Sequence, residues 1–432
     1  MNLITAPRGT FDLMPQQALA WQWMETKIRA VLQAYGYGEI RTPIFEHTEL
    51  FQRGIGETTD IVEKEMYTLT DKGGRSLTLR PEGTASVVRA YIEHKLYAQA
   101  PVTKLYYIGP MFRQERPQAG RFRQFHQFGV ELLGEESPVA DAEVIILAHD
   151  LYRQLGLTEL EIHLNTVGCP HCRQAYKAAL TSALAAVAEQ LCSTCRVRLE
   201  RNPLRVLDCK SPVCQELIGR VPSIHNYLCA DCRDHFDRVT TLLEQVGVKY
   251  ELSPKLVRGL DYYTRTVFEI INVNLGAQNA LCGGGRYDGL VEECGGPAVP
   301  GVGFASGIER LFTTLEQQKK IPALTSGPQL YVVPLGEELT VVAFEVATVL
   351  RRQGFSVEMG NGTKSLKAQL KTAHKAGAAY TLIIGEDEWR EGQVTLKTMA
   401  DGSQKRLPVS GLVAEIAKLV SLQGPQVPLR EE

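Results

Sequence analysis

The sequence predicts an α+β protein: an antiparallel sheet flanked by helices, interrupted by a cysteine-rich insertion and followed by a C-terminal α/β domain. Three stretches carry this expectation. Between Tyr106 and Leu133, two β-rich runs, Leu105–Ile108 and Phe125–Val130, flank a polar connection with Pro110, Pro117 and Gly120, the pattern of an antiparallel hairpin with a long loop. Of the ten cysteines, all but Cys282 and Cys294 fall between Cys169 and Cys232. Beyond Pro328, strand-like and helix-like runs alternate as Leu330–Val333, Leu339–Gln353, Ser356–Glu358, Ser365–Lys375 and Tyr380–Ile384, which describes a small domain with a largely parallel sheet.

A length of 432 residues is enough for two or three domains with buried cores. No apolar run approaches the roughly 20 residues of a membrane span. The opening Met1–Ile4 leads into Pro7-Arg8-Gly9 without a hydrophobic signal core, so a cytoplasmic location and no membrane partner are expected. The formal net charge of −2 is not that of a generally basic nucleic-acid binder, and such a partner would have to be met by local patches. In a cytosolic chain, clustered CxxC pairs point to metal before they point to disulfides.

In chain order, residues 16–35 have the apolar spacing of an amphipathic helix ended by Gly36, and Glu39–Phe45 reads as a strand running through Pro43. Arg53–Asp60 is a polar glycine-containing loop, and Met66–Leu69 with Ser76–Leu79 reads as a hairpin. At Arg80-Pro81-Glu82-Gly83-Thr84 a strand turns into the helix Ala85–His94, where a carboxylate and a hydroxyl serve most simply as caps. On the second hairpin strand, alternation places Gln127, Gly129 and Glu131 on one face and Phe128 and Val130 on the other. With Arg113, Arg116, Arg121 and Arg123 nearby, and Arg89 assigned to a preceding strand, this makes a polar floor fitted to a zwitterionic or phosphorylated small molecule. Val139–Leu155 reads as a helix leading into the strand Leu160–Leu164.

The insertion spans 168–246. Its cysteines group by sequence as Cys169, Cys172, Cys192 and Cys195, with 19 residues between the pairs, and as Cys209, Cys214, Cys229 and Cys232, with 14 between. Two such turns complete a closed tetrahedral zinc site; reduced, metal-free thiols satisfy the same spacing. Arg196, Arg198, Arg201 and Arg205 form a local basic cluster suited to phosphates. With few large apolar residues, the insertion is expected to depend on metal for folding and to lie outside the chemistry. After it come Leu256–Glu269, the glycine run Gly283–Gly285, and a strand entering a helix at Gly301–Arg310. Residues 319–328 read as a linker. In the C-terminal domain Lys364, Lys367, Lys371 and Lys375 share one helix face, with Leu366, Leu370 and Ala373 on the other, and the proline-rich tail 424–432 reads as disordered.

Seven motifs stand in one order: Arg8-Gly9 with Asp12 and Pro15, RTPIFE at 41–46, TLRPEGT at 78–84, the hairpin, LVRGLDYYTRTVFE at 256–269, GGGRYDGL at 283–290 and GVGFASGIERL at 301–311. Together they resemble the class II aminoacyl-tRNA synthetases and, among them, the histidyl-tRNA synthetases. The resemblance implies a class II antiparallel catalytic sheet over 1–325, the insertion 168–246 within it, and an anticodon-binding domain over 328–423. It also implies a homodimer joined through the first helix–strand–proline unit. The implied activity is ATP-dependent conversion of L-histidine to histidyl-adenylate, with Mg²⁺ on the β- and γ-phosphates, and transfer to the 3′ end of tRNA(His). Arg113 and Arg258 become the catalytic cations. Glu82, Gly83, Thr84, Arg113, Gln127, Glu131, Arg258, Tyr262 and Tyr263 become the histidine site, and Arg113, Glu115, Arg121 and Arg310 the ATP site. Members of the family carry the insertion without these cysteines, so the resemblance leaves the metal open. Related regulatory subunits of ATP phosphoribosyltransferase lack the C-terminal domain and parts of the arginine signature; this chain has both.

Overall fold

The computed structural model describes residues 3–56, 59–115, 121–274, 280–324 and 326–420. Arg116, Pro117 and Gly120 of the hairpin loop, and the tail 424–432, lie outside them. The chain divides into two compact units, Met1–Pro322 and Ala323–Glu432.

In the first unit the strands are β1 (Gly38–Glu39), β2 (Phe45–His47), β3 (Tyr67–Thr70), β4 (Ser76–Leu79), β5 (Thr103–Phe112), β6 (Gln124–Leu133), β7 (Leu160–Thr166), β8 (Glu251–Leu252), β9 (Thr264–Asn272), β10 (Ala280–Arg286) and β11 (Gly301–Gly307). The helices are α1 (Pro15–Ala34), α2 (Thr48–Ile55), α3 (Thr84–Glu93), α4 (Pro138–Gln154), α5 (Pro170–Ala185), α6 (Ser193–Arg201), α7 (Pro212–Ile218), α8 (Ala230–Gln245), α9 (Leu290–Glu293) and α10 (Ile308–Gln317). Among the described residues the main sheet has the order β1-β5-β6-β11-β10-β9-β7-β8, and its centre, β5 to β7, is antiparallel throughout.

Register explains why one face of this sheet can receive a ligand. Glu131 pairs with Gly303, Gly129 with Ala305 and Gln127 with Gly307; Ala305 in turn faces Gly283, which faces Glu269. Directly paired residues share a face, so β10 and β11 present glycine and alanine between the polar side chains of β6 and β9. The opposite face carries Phe128, Phe268 and Phe304 in edge-to-face contact, above the buried Val144, Ile145, Leu147, Ala148 and Leu151 of α4. Each such side chain contributes roughly 1.5–3 kcal/mol on burial. The apolar stripe of α1, Met24, Ile28, Val31 and Leu32, also packs toward α4.

The run Glu39–Phe45 is not one strand. β1 adds in parallel to the edge of the main sheet, the chain bends at Ile44 just after Pro43, and β2 joins a separate sheet of order β2-β4-β3. Pro43 has no N–H to continue a ladder, and the carbonyl of Thr42 is taken at 3.1 Å by the Arg80 guanidinium, which also holds the Pro110 carbonyl at 2.8 Å. Arg89 is likewise not on a strand: it lies on α3, ion-paired with Glu46 at 2.6 Å and Glu93 at 2.8 Å.

The insertion, α5 to α8, has a hydrophobic core of its own that includes Tyr176, Leu180, Leu184, Leu191, Val206, Leu207, Leu217 and Ile218, so its thiols are not its sole support. Its last helix, α8, lies along α4, where buried His235 meets buried Asp141 at 3.2 Å. Asp141 also pairs with the fully buried Arg286 of β10, and this clip ties the insertion to the catalytic sheet.

The second unit contains β12 (Leu330–Pro334), α11 (Thr340–Arg352), β13 (Val357–Met359), α12 (Leu366–Lys375), β14 (Tyr380–Ile384), α13 (Glu386–Arg390), β15 (Gln393–Thr398), β16 (Gln404–Pro408) and α14 (Leu412–Val420). Its sheet, β13-β12-β14-β15-β16, is parallel over the first three strands, and a polar antiparallel meander of β15 and β16, absent from the sequence reading, completes it. Leu366 is exposed rather than inward, because the helix instead buries Gln369, whose amide donates to the Pro334 carbonyl at 2.8 Å.

Candidate active site

A cavity of about 370 Å³ opens on the glycine-lined face of the main sheet. One wall is the first turn of α3. There the Glu82 carboxylate accepts from the Thr84 N–H at 2.7 Å and the Ala85 N–H at 2.8 Å. The capping role and the ligand role therefore fall on the same carboxylate, since Glu82 also borders the cavity. Burial raises its pKa, and the two N–H groups work against that shift. The Thr84 hydroxyl donates to Glu131 at 2.6 Å, and the Tyr287 hydroxyl donates to the other Glu131 oxygen. Burial pushes Glu131 up to about 8, against these two hydrogen bonds. On the same strand, Gln127 Oε1 is buried without a partner among the described residues. An unpaired acceptor aimed into a cavity is costly unless a donor arrives.

The cations come from four different places. Arg113, at the end of β5, is held by its Nε on the Pro81 carbonyl at 2.9 Å, stacks over Phe125 with 5.2 Å to the ring centre, and stands 3.8 Å from Glu115. Arg121 pairs with Glu115 at 3.1 Å. Arg258 pairs with Glu269 of β9, while its Nε has no partner among the described residues. Burial works against its charge, yet Glu269 and Tyr263 hold its pKa above the usual arginine value. Arg310, on the first turns of α10, donates to the Ala280 carbonyl at 2.7 Å, and burial with Arg121 nearby lowers its pKa. The neighbouring Glu309 fixes α10 to the hairpin by accepting from the His126 N–H at 2.8 Å.

Glu82, Thr84, Arg113, Glu115, Arg121, Gln127, Arg258, Tyr262, Tyr263 and Arg310 all line this cavity. Gly83 does not: its Cα faces the Tyr107 ring, which a Cβ would overlap. Nor is Glu131 on the cavity surface; it lies beneath Thr84, Tyr287 and Gly303, where a Cβ on Gly303 would strike its carboxylate. Tyr287 and Glu269 are among the lining residues to which the sequence assigned no role. Tyr287 stands inside the GGGRYDGL motif and Glu269 ends LVRGLDYYTRTVFE, so both were in view, but only the strand pairing shows which way they face.

Residues 9–311 match the histidyl-tRNA synthetase family, and residues 329–419 match the anticodon binding domain family. The chain belongs to the histidyl-tRNA synthetase family. The histidine–tRNA ligase of Halothermothrix orenii is 53% identical over 418 residues, covering 96% of this chain and 100% of that protein. That of Desulforamulus reducens is 53% identical over 411 residues, 95% of this chain and 98% of that one. The crystal structure of apo Staphylococcus aureus histidyl-tRNA synthetase aligns with a TM-score of 0.81 at 38% identity, covering 96% of this chain and 100% of that one.

In this chain the insertion cysteines pair otherwise than by sequence neighbourhood. Cys169, Cys172, Cys229 and Cys232 form one cluster and Cys192, Cys195, Cys209 and Cys214 the other, with the sulfurs of each within 4.8 Å of one another. The sets are nested rather than consecutive: the first and last CxxC pairs of the insertion, at the starts of α5 and α8, meet around the two inner pairs. Backbone donors point at the sulfurs: Cys229 N to Cys172 at 3.1 Å, Cys192 N to Cys214 at 3.3 Å, and Ser211 N to Cys209 at 3.4 Å. The basic cluster is not a bare phosphate site. Arg196 donates to the Leu191 carbonyl, Arg198 and Arg201 pair with Asp60 and Glu63, and Arg205 donates to the Gly259 carbonyl.

Proposed function

We propose that the chain acts as a histidine–tRNA ligase whose cavity holds L-histidine beside ATP. The observation that carries this reading is the convergence of four arginines and an acceptor-rich pocket on one glycine-lined sheet face, in a chain of this family. The histidine ammonium is met by Glu82, Thr84 and the unpaired Gln127 Oε1, a set of acceptors suited to three donors. Tyr263 and Tyr287 border the imidazole with Tyr262 beside them, and Glu131 beneath tunes that wall. In the first step a carboxylate oxygen attacks the α-phosphorus, a P–O bond forms, and pyrophosphate leaves with the electrons of the broken bond. Arg113 and Arg258 neutralise the charge that develops there, while Arg121, Arg310 and Glu115 hold ATP, which arrives as its magnesium complex. A ribose hydroxyl at the 3′ end of tRNA(His) then attacks the acyl carbon and AMP departs.

Arg258→His is expected to lower histidine-dependent ATP–pyrophosphate exchange by about 10²–10³ in kcat, the usual loss of one stabilising group. A change confined to KM would remove Arg258 from this role. The exposed apolar side chains of Ile44, Phe45 and Leu69 on the small sheet favour a homodimer, which sedimentation of the full chain checks. Each Cys₄ cluster has the ligand number, spacing and N–H···S support of a closed structural zinc site.

A further inference from the structure

The loop from Arg258 to Tyr263 carries one catalytic cation and two of the pocket tyrosines, Tyr262 and Tyr263, yet it contains no helix or strand. Its backbone shape must therefore be held by something other than ladder hydrogen bonds. Three donors from the insertion share this with α2, whose Ile55 carbonyl accepts from the Asp261 N–H at 3.2 Å. Arg205 donates to the Gly259 carbonyl and stands 3.9 Å from the Asp261 carboxylate. Asn202 Nδ2 donates to both Asp261 oxygens, at 3.2 and 3.3 Å. Arg173 Nη1 donates to the Asp261 carbonyl at 3.1 Å. Gly259 follows Arg258 directly and Asp261 precedes Tyr262, so the held atoms lie between residues that touch substrate on either side.

All three donors sit beside a cysteine cluster. Arg173 follows Cys172, and Asn202 and Arg205 lie between Cys195 and Cys209, on a turn whose two ends converge on the inner cluster. Arg198, from the same segment, closes that turn by donating to the Arg205 carbonyl at 3.1 Å. Opening the inner cluster would free both ends of the turn that aims Arg205.

We propose that the inner cluster of Cys192, Cys195, Cys209 and Cys214 binds Zn²⁺ and, through Asn202 and Arg205, sets the geometry of the Arg258–Tyr263 loop. The insertion is then a metal-dependent brace of the amino-acid pocket, and Asn202 and Arg205 are positioning residues. The metal part rests on the structural-zinc reading above; the brace itself rests on contacts between protein groups alone. A loop displaced by an ångström costs up to about a hundredfold at the site it serves.

The test uses the full-length protein, with zinc measured by elemental analysis and exchange kinetics measured against histidine and against ATP. Arg205→Ala is expected to keep the wild-type zinc content and thermal midpoint. Its histidine KM should rise roughly tenfold or more while its ATP KM stays within about twofold. Arg205→Lys, which still offers a donor to the Gly259 carbonyl, should recover part of that loss. Cys209→Ser is expected to lose one zinc per chain and to show the same histidine-selective defect. Should Cys209→Ser not fold, the two Arg205 variants decide the brace and wild-type zinc content decides the metal. An unchanged histidine KM in Arg205→Ala overturns the brace. Zinc-free wild type, or a folded Cys209→Ser that loses zinc and keeps its histidine KM, overturns the metal's part. Absence of exchange in the wild type would instead strike at the assigned function and leave the brace to be read by calorimetric histidine binding.

Discussion

Glu131 shows how a single side chain is set by its surroundings. Its pKa is raised from 4.5 to about 8, so the folded protein holds this proton more tightly than the unfolded chain does. The stability it confers is complete below the unfolded value and is lost as pH rises toward the folded one, at about 1.4 kcal/mol per unit of difference. Glu131→Gln removes the titration. The melting temperature of the variant should change less between pH 5 and pH 8 than that of the wild type, and its histidine KM should rise while its ATP KM holds. Differential scanning calorimetry at both pH values with exchange kinetics checks this, and equal losses for both ligands would indicate a damaged fold. The sequence made Glu131 visible, through alternation with Val130 and Phe128, but not its depth. That depth comes from Thr84 on α3 and Tyr287 beyond β10, residues remote in the chain that cover it.

Among the elements, β10 depends most on having no side chains. A Cβ on Gly283 would overlap the Arg258 guanidinium, which is the far end of a flexible side chain rather than fixed backbone. Gly283→Ala should therefore leave the fold standing and move the arginine: a melting temperature within a few degrees of wild type, with exchange lowered roughly tenfold or more. A large loss of stability with normal kinetics would contradict that assignment. The glycine run was legible as a place of close approach, but the approaching group is an arginine of the protein itself. The cysteine pairs were legible too, though spacing suggested consecutive sets where the fold makes nested ones. Spacing records how far apart two turns are along the chain, whereas the packing that brings the starts of α5 and α8 together decides which turns meet.

Across the whole molecule, the first unit holds the cavity and the second matches the anticodon binding domain family. Lys364, Lys367, Lys371 and Lys375 are all exposed on the second unit, although Lys364 lies just before the Ser365 N-cap of α12 rather than on the helix. If they contact tRNA phosphates, changing all four to Ala should weaken tRNA binding and reduce its salt dependence, each phosphate contact contributing a slope of about 0.7–0.9. Pyrophosphate exchange, which needs no tRNA, should be unaffected. Filter binding at two salt concentrations beside exchange assays checks both halves, and unchanged tRNA affinity would return this face to plain solvent.

The sequence by itself determined the order of the motifs, the hairpin that carries Arg113, Gln127 and Glu131, the strand–helix alternation of the second unit, and the family. Each of these is written in local composition and period, which survive without knowledge of what packs where. Only the tertiary structure decided that Arg89 is a helix residue tied to Glu46, that Glu39–Phe45 is divided between two sheets, and that Arg198, Arg201 and Arg205 are partnered by Asp60, Glu63 and the Gly259 carbonyl. A run of arginines reads the same whether its partners are phosphates or its own carboxylates and carbonyls. Which of the two it meets is a matter of contacts between residues far apart in the chain, and those are made only when the insertion folds back onto the loop it holds.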